Sequence, residues 1–136
     1  MDLTKVIQVS ASGMTAQTLR LRTIAENIAN AESLGETPGA QPYQRKLVTF
    51  KNILNRATGF TNVKVDRISK DQSEFQKKFD PQHPAADKDG YVLTPNVNSL
   101  VELMDMRQAQ RSYEANLSVI EVSKSMLART LDLLRG

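Results

Sequence analysis

The residues that could support catalysis are few, and their spacing does not bring them together. His83 is the only histidine of the chain, and it lies in the loop-like segment QHPAAD. A catalytic triad or a histidine-containing metal site needs several partners that converge on one point. The neighbourhood of His83 offers only Asp80 and Asp87. We therefore interpret His83 as a loop residue without a catalytic role.

Two other motifs match known sites only in part. The segment DKDG, residues 87–90, resembles a calcium-binding loop, but Ala85 and Asn96 stand where an EF-hand needs an acidic or amide ligand and a glutamate. The segment LGETPGAQ lacks the lysine and the strand-to-helix setting of a phosphate-binding loop. Cysteine is absent, which excludes disulfides and thiolate chemistry. The sequence predicts no enzyme, no metal site and no cofactor.

Positive charge is concentrated in the middle of the 136-residue chain. Residues 43–80 contain nine Lys or Arg and four Asp or Glu, whereas the remaining residues contain nine and eleven. A basic segment of this kind is compatible with nucleic-acid binding, and it is also the pattern of solvated strands guarded by lysines. No RNA-binding motif or zinc-finger spacing accompanies it, so we favour the strands and expect no nucleic-acid partner.

Targeting segments are not evident in the sequence. The start, MDLTKVIQVSASGM, has only Val6 and Ile7 as an apolar run before Gln8, whereas a secretory signal needs about 7–15 apolar residues. No stretch approaches the roughly 18–20 apolar residues of a membrane span. We expect no membrane insertion, and export without a cleaved signal peptide if the chain leaves the cytoplasm.

The N-terminal part predicts a long helix over residues 4–31, about 40 Å in length. Its apolar residues recur at steps of four and three, as in a coiled-coil seam. This first seam consists of Ile7, Ala11, Met14, Thr18, Leu21, Ala25 and Ile28. Asp2 or Thr4 can cap the helix start. Gly13 is a weak position in mid-helix, and we expect it to pack against another subunit.

Two amides, Asn27 and Asn30, lie where this helix ends. Asparagine tolerates non-helical backbone at a helix end, and a buried amide can fix the register of packed helices. Asn116 is placed to do the same near the other end of the chain. We keep both interpretations, helix-end polarity and helix alignment, as alternatives.

The C-terminal part predicts a second long helix with a similar pattern. Its seam consists of Leu103, Met106, Gln110, Tyr113, Leu117, Ile120, Lys124, Leu127, Leu131 and Leu134. A flanking stripe of small or polar residues consists of Ala109, Asn116, Ser123 and Thr130. Ser99 and Glu102 have the spacing of a capping box that would start the helix, with Asn98 as the alternative cap.

The segment between the helices has a different pattern. GETPGAQP and DPQHPAADKDG are rich in turn residues, and four short stretches alternate apolar and polar residues as half-buried strands do. These stretches are RKLVTF (45–50), TNVKVDRI (61–68), EFQKKF (74–79) and GYVLT (90–94). We predict a mainly α fold with a small β-rich insertion. Residues 1–33 and 96–136 form an antiparallel, coiled-coil-like helical hairpin, and residues 34–95 form the insertion.

Both helices carry more apolar surface than one hairpin can bury. An isolated pair buries one seam per helix, and further exposed apolar surface marks an interaction site. We therefore predict subunit packing through Gly13, the three amides and most apolar seam residues. These seam residues are Ile7, Ala11, Met14, Leu21, Ile28, Met106, Tyr113, Leu117, Ile120, Leu127, Leu131 and Leu134.

Several segments resemble bacterial flagellar rod and hook proteins. SASGMTAQTLRLRTIAENIANAES is similar to the N-terminal signature of that family. PYQRKLVTF, DPQHPAADKDGYVLTPNVN and MRQAQRSYEANLSVIEVSKSML resemble its proximal-rod members, and the resemblance covers nearly the whole chain.

The resemblance implies a structural subunit that polymerises through its terminal helices and transmits torque from motor to hook. It implies a periplasmic rod as the location and the flagellar type III apparatus as the export route. The implied partners are copies of the chain, the rod proteins FlgB, FlgF and FlgG, and the adaptor FliE. It also implies that the terminal helices are disordered before assembly. A needle or inner-rod component of another type III system is the alternative, although such proteins would lack the DGYV and PNVN block.

Overall fold

Two long helices bracket four strands. The computed structural model describes residues 2–136, with the elements α1 (Leu3–Ala29), β1 (Lys46–Asn55), β2 (Phe60–Lys70), β3 (Gln76–Phe79), β4 (Tyr91–Thr94) and α2 (Ser99–Arg135). The strands form two separate two-stranded sheets, β1 with β2 and β3 with β4. The predicted fold class, mainly α with a small β insertion, is confirmed. No helix in the described part of the chain has an apolar stretch that would cross a membrane.

Both helices begin at a capping side chain. Asp2 Oδ1 accepts a hydrogen bond from the backbone N–H of Thr4 at 3.2 Å. At α2 the cap is Asn98, whose Oδ1 accepts from the N–H groups of Leu100 at 3.0 Å and Val101 at 3.4 Å. The expected capping box of Ser99 and Glu102 is wrong, because the Glu102 carboxylate bonds elsewhere.

Tight turns set the two hairpins of the insertion. Between β1 and β2, the N–H of Gly59 donates to the carbonyl of Asn55 at 2.7 Å, and Gly59 adopts a φ of 73° that favours glycine. β3 and β4 are antiparallel, with Gln76 opposite Thr94 and Phe79 opposite Tyr91. All four predicted strands are present, and β1 continues to residue 55, five residues further than expected.

The chain divides into two compact units that cut across the helices. The first unit comprises the residues up to Leu21, Thr49–Arg67 and Arg107–Gly136. The second comprises Arg22–Val48 and Ile68–Met106. The second unit therefore contains the end of α1, the start of α2 and the β3–β4 hairpin.

Within the first unit the two helices run antiparallel. Gly13 lies against the side chain of Asn116, and Arg20 Nη2 donates to Gln108 Oε1 at 3.1 Å. A Cβ added at Gly13 would lie 2.9 Å from Asn116 Nδ2. Gly13 thus permits a close approach of α2 of the same chain, and its packing against another subunit stays a prediction.

The face that α2 buries differs from the predicted seam. Its three buried residues are Glu102, Ala109 and Ser123, which are separated by multiples of seven. Ala109 and Ser123 belong to the flanking small or polar stripe, and Glu102 extends that stripe by one interval towards the helix start. Leu117 and Leu131 of the predicted seam are exposed. The small residues are inside because they allow the helices to come close, and the leucines are left on the outside.

The buried face of α1 is also displaced from the predicted seam. Ser10, Ile24 and Asn27 are buried, one residue before the seam positions Ala11, Ala25 and Ile28. One residue corresponds to a rotation of about 100° around the helix. The predicted first seam follows hydrophobicity alone. The residues that are buried between closely packed helices depend also on their size and their hydrogen bonds.

Few large apolar side chains are buried in the described chain. The buried apolar residues are Ala16, Ile24, Ala85, Val92 and Ala109. Many large ones are exposed on α2, among them Leu100, Leu103, Met104, Leu117, Val119, Val122, Met126, Leu131, Leu133 and Leu134. Helix α2 thus carries much of its apolar surface outward, whereas no described residue of α1 is among the exposed large apolar side chains.

Removing the α2 cap should destabilise the protein. We expect Asn98→Ala to lower the free energy of unfolding by about 1 kcal/mol, because two helix-terminal N–H groups lose their acceptor. Urea denaturation followed by circular dichroism measures this change. Ser99→Ala is the matched control and should have little effect; a larger loss at Ser99 than at Asn98 would restore the capping-box interpretation.

Candidate functional site

Asn27 uses its whole side-chain amide to join three parts of the second unit. Nδ2 donates to the Lys46 carbonyl at 2.9 Å and to Glu102 Oε2 at 3.1 Å. Oδ1 accepts from the Tyr43 hydroxyl at 2.9 Å and from the Lys46 N–H at 2.9 Å. An asparagine amide has two donors and two acceptor lone pairs, so every hydrogen bond it can form is made. Asn27 is only 1% exposed and therefore links α1 to α2 and to the start of β1.

Glu102 brings a carboxylate into this buried position. Its exposure is 0%, and its partners are the Asn27 amide and the Arg45 guanidinium. A buried charge is tolerated only when it is paired and hydrogen-bonded. The first turn of α2 is consequently tied to the Pro-Tyr-Gln-Arg segment that precedes β1.

Arg45 lies between three carboxylates. Besides Glu102, it contacts Asp71 Oδ2 through Nη1 at 3.4 Å and Asp105 Oδ2 through Nη2 at 3.5 Å. Burial alone would lower the pKa of the Arg45 guanidinium, but Glu102 and Asp71 outweigh it and raise that pKa. Arginine stays charged under these conditions, so it neutralises carboxylates from two separate chain segments.

Asn96 connects the backbone around this cluster. Its Oδ1 accepts from the Arg45 N–H at 2.8 Å. Its Nδ2 lies within hydrogen-bond distance of the Asp71 carbonyl at 3.2 Å and of the Ser73 carbonyl at 3.1 Å. The Asp71 N–H in turn donates to the Arg45 carbonyl at 2.8 Å. Asn96, in the PNVN motif, thus holds the chain before β1 against the chain that follows β2.

An exposed ion pair flanks the buried part of the cluster. Lys46 Nζ lies 2.9 Å from Glu26 Oε2. The hydrogen bond from Lys46 lowers the pKa of the Glu26 carboxyl and, reciprocally, raises the pKa of Lys46. Burial raises the pKa of the Tyr43 hydroxyl. Because Glu26 and Lys46 are well exposed, their pair adds little stability compared with the buried contacts.

The other two predicted amides bond locally. Asn30 Nδ2 donates to the Glu26 carbonyl at 2.8 Å, and Asn30 Oδ1 accepts from Ser33 Oγ at 3.1 Å, which is helix-end chemistry. Asn116 Nδ2 donates to the Ser112 carbonyl of its own helix at 2.9 Å while it covers Gly13. Among the described contacts of these amides, only those of Asn27 bridge two helices by hydrogen bonds.

The predicted apolar packing residues remain accessible to different degrees. Ile7, Met14, Leu21, Ile28, Met106, Tyr113, Ile120 and Leu127 are half-buried. Ala11, Leu117, Leu131 and Leu134 are exposed. None of them is fully buried, so each keeps some surface that a neighbouring subunit could cover.

Arg45, Asn96 and Glu102 were not predicted from the sequence to form one cluster. Glu102 was interpreted as a capping residue, and Arg45 was counted in the basic excess. Their presence in the PYQRK and PNVN motifs was the available signal, but a contact between residues 57 positions apart leaves no periodic pattern. No cluster of three or more metal-ligating side chains occurs among residues 2–136.

Replacing Asn27 should be strongly destabilising. Asn27→Leu leaves the Lys46 peptide group and Oε2 of the Glu102 carboxylate without their hydrogen-bond partner, while Arg45 stays paired with the other carboxylate oxygen. We expect a loss on the order of 3 kcal/mol in the free energy of unfolding. Denaturant unfolding of the purified protein measures it. Asn30→Leu is the matched control, with an expected loss below about 1 kcal/mol because its bonds are local and accessible. Equal losses for the two variants would contradict the assigned role of Asn27.

Acid should weaken the second unit. The pKa values of Glu26 and Asp71 lie below their ordinary 4.5 and 3.8, Glu26 through its hydrogen bond with Lys46 and Asp71 through hydrogen bonds from Ser73. A lowered native pKa contributes stability that is complete above the ordinary value and is lost as the pH falls through the lowered one. The urea midpoint should therefore decline as the pH drops below 4.5. Asp71→Asn should flatten that decline; an unchanged slope would rule out the contribution of Asp71.

Known proteins with similar sequences agree on one family. The family model "Flagella basal body rod protein" matches residues 7–41, and the model "Flagellar basal body rod FlgEFG protein C-terminal" matches residues 88–133. The flagellar basal-body rod protein FlgC of Agrobacterium fabrum is 48% identical over 134 residues, which cover 98% of this chain and 96% of the relative. The FlgC protein of Borreliella burgdorferi is 40% identical over the full length of both chains. That of Bacillus subtilis is 37% identical over 93% of this chain and 95% of its own. The chain therefore belongs to the FlgC family of flagellar basal-body rod proteins.

Proposed function

We propose that the protein polymerises through the exposed apolar face of α2, together with the half-buried apolar residues of α1, and so carries torque along the flagellar rod. As a member of its family it is a structural subunit of the proximal rod in the basal body. The proposed mechanism is mechanical packing of many subunits, without enzymatic turnover.

The observation that carries this proposal is the exposed apolar surface of α2. Val122 is 59% exposed, Leu131 60% and Leu133 83%. Exposed apolar patches of this kind are characteristic of interaction surfaces, and burying one such side chain stabilises an interface by about 1.5–3 kcal/mol. Several of them repeated along one helix supply the free energy that a polymer of identical subunits needs.

The internal contacts suit a load-bearing subunit. Asn27, Arg45 and Glu102 hold the end of α1 and the start of α2 at fixed positions. Torque applied to one helix would pass to the other through directional hydrogen bonds and a buried ion pair, which resist sliding more than apolar contacts do. We propose that this is why polar groups occupy the inside and apolar groups the outside.

The partners follow from the family. Rod proteins assemble with other rod components, and we propose FlgB, FlgF, FlgG and the adaptor FliE, in addition to copies of this chain. We also propose that the subunit reaches the periplasmic space through the flagellar type III export apparatus. The residues of the basic middle segment include Arg45, Lys46 and Lys51, each of which contacts a carboxylate of the same chain. Part of the basic charge of the middle segment is therefore paired with carboxylates within the fold.

Charge on the outer face of α2 should block assembly. We expect Leu131→Glu to abolish swimming and to reduce the rod protein recovered in isolated basal bodies at least tenfold, because a carboxylate would be buried between subunits. The variant is expressed in a strain that lacks the wild-type gene, and soluble expression levels are compared. Ser125→Glu, at an exposed polar position of the same helix, is the matched control. Normal swimming of Leu131→Glu would exclude this face from the subunit interface.

A further inference from the structure

We propose that the Arg45–Glu102–Asn27 cluster keeps residues 22–29 of α1 and 99–106 of α2 helical and in register in the lone chain, before any assembly. For the remaining parts of both helices we keep what the family resemblance implies, that they become ordered only among neighbouring subunits. The new element is the ordered part and the cluster that holds it. Each helix would thus contain a boundary, between Leu21 and Arg22 in α1 and between Met106 and Arg107 in α2. The inference rests on the proposed function in one respect, because it takes assembly as the event that orders the remaining parts.

The large apolar side chains that are buried lie in the second unit. Only Ile24 and Val92, among the buried apolar residues of the described chain, are larger than alanine, and both belong to the second unit. The buried residues of the first unit are Ser10, Ala16, Ala109 and Ser123. Small side chains bring helices close but remove little apolar area from water. The first unit therefore lacks the burial that would hold it together alone.

Hydrogen bonds and ion pairs between residues far apart in sequence connect the second unit. Asn27 and Glu102 are buried and bonded to each other although 75 positions separate them in sequence. Arg45 adds a contact across 57 positions to Glu102 and one across 26 to Asp71. Asn27 and Glu102 are buried and therefore costly to leave unpaired, and Arg45 and Asp71 are partly buried beside them. We therefore expect the four segments to separate together.

The helix segments outside the second unit are weakly stabilised on their own. Isolated helices are marginal in water because the first turn is costly to form. Gly13 disfavours helix by about 1 kcal/mol relative to alanine. Residues 110–134 expose most of their large apolar side chains. In the lone chain, no neighbouring subunit covers these exposed side chains.

The consequence for assembly is a preformed start for both helices. Once a first turn exists, each further residue adds one hydrogen bond and extends the helix easily. With 22–29 and 99–106 already paired, α1 and α2 can lengthen from a fixed register when a neighbouring subunit covers them. The cluster would thus decide the helix pairing before any partner is met.

Hydrogen exchange measured by mass spectrometry on the dilute, purified full chain tests the proposal. We expect backbone amides within 22–29 and 99–106 to exchange on the order of 100-fold more slowly than those within 4–18 and 110–134. Uniform protection along both helices, or no protection in 22–29 and 99–106, would overturn it. The measurement involves no assembly, so its failure is distinct from a failure of the Leu131→Glu swimming test.

A matched pair of variants separates the cluster from ordinary ion pairing. Arg45→Met leaves the buried Glu102 carboxylate without its cation, and we expect the protection of 22–29 and 99–106 to disappear together. Lys51→Met removes the exposed ion pair with Asp66 in the β1–β2 hairpin and should leave that protection unchanged. Retained protection in Arg45→Met, or an equal loss in Lys51→Met, would refute the role of the cluster.

Discussion

A carboxylate without solvent contact, Glu102, dictates how the start of α2 is surrounded. It requires a cation and a hydrogen-bond donor at short range, and Arg45 and Asn27 provide them. Arg45 can reach this position only if the chain before β1 passes over the helix start. That path in turn places the Lys46 peptide group against the Asn27 amide. One buried charge thereby arranges the end of α1, the start of β1 and the first turn of α2.

The distribution of polarity follows from this arrangement. Inside the helix pair lie small or hydrogen-bonded residues such as Ser10, Gly13 and Ala109, whereas many large apolar residues of α2 lie outside. A monomeric protein ordinarily shows the opposite arrangement, because burial of large apolar side chains is its main source of stability. In the proposed polymer these external faces become internal once neighbours pack around the subunit. The proposal thus assigns the apolar surface to contacts between chains, while polar groups determine specificity within the chain.

The sequence was sufficient for the elements but not for their packing. Periodicity identified both helices and all four strands, since steps of 3 and 4 or of 2 are local properties. It did not identify which helical face is inside, because Leu117 and Leu131 have the hydrophobicity of core residues and are nevertheless exposed. The importance of Asn27 was anticipated, yet its partners were not. Tyr43, Lys46 and Glu102 come from three separate segments, and only the folded chain brings their hydrogen-bonding groups to one amide.

The spacing of the flanking small or polar stripe affects how the two helices could mispair. Ala109, Asn116 and Ser123 follow one another at intervals of seven, and each is small enough to lie beside Gly13. Sliding α2 along α1 by one interval, about 10 Å, would present α1 with a nearly equivalent surface. Steric fit alone therefore leaves several alignments almost degenerate. Glu102 has no counterpart among the other members of the stripe, so it makes the slipped alignments unequal: each would place a carboxylate where neither Asn27 nor Arg45 can reach it.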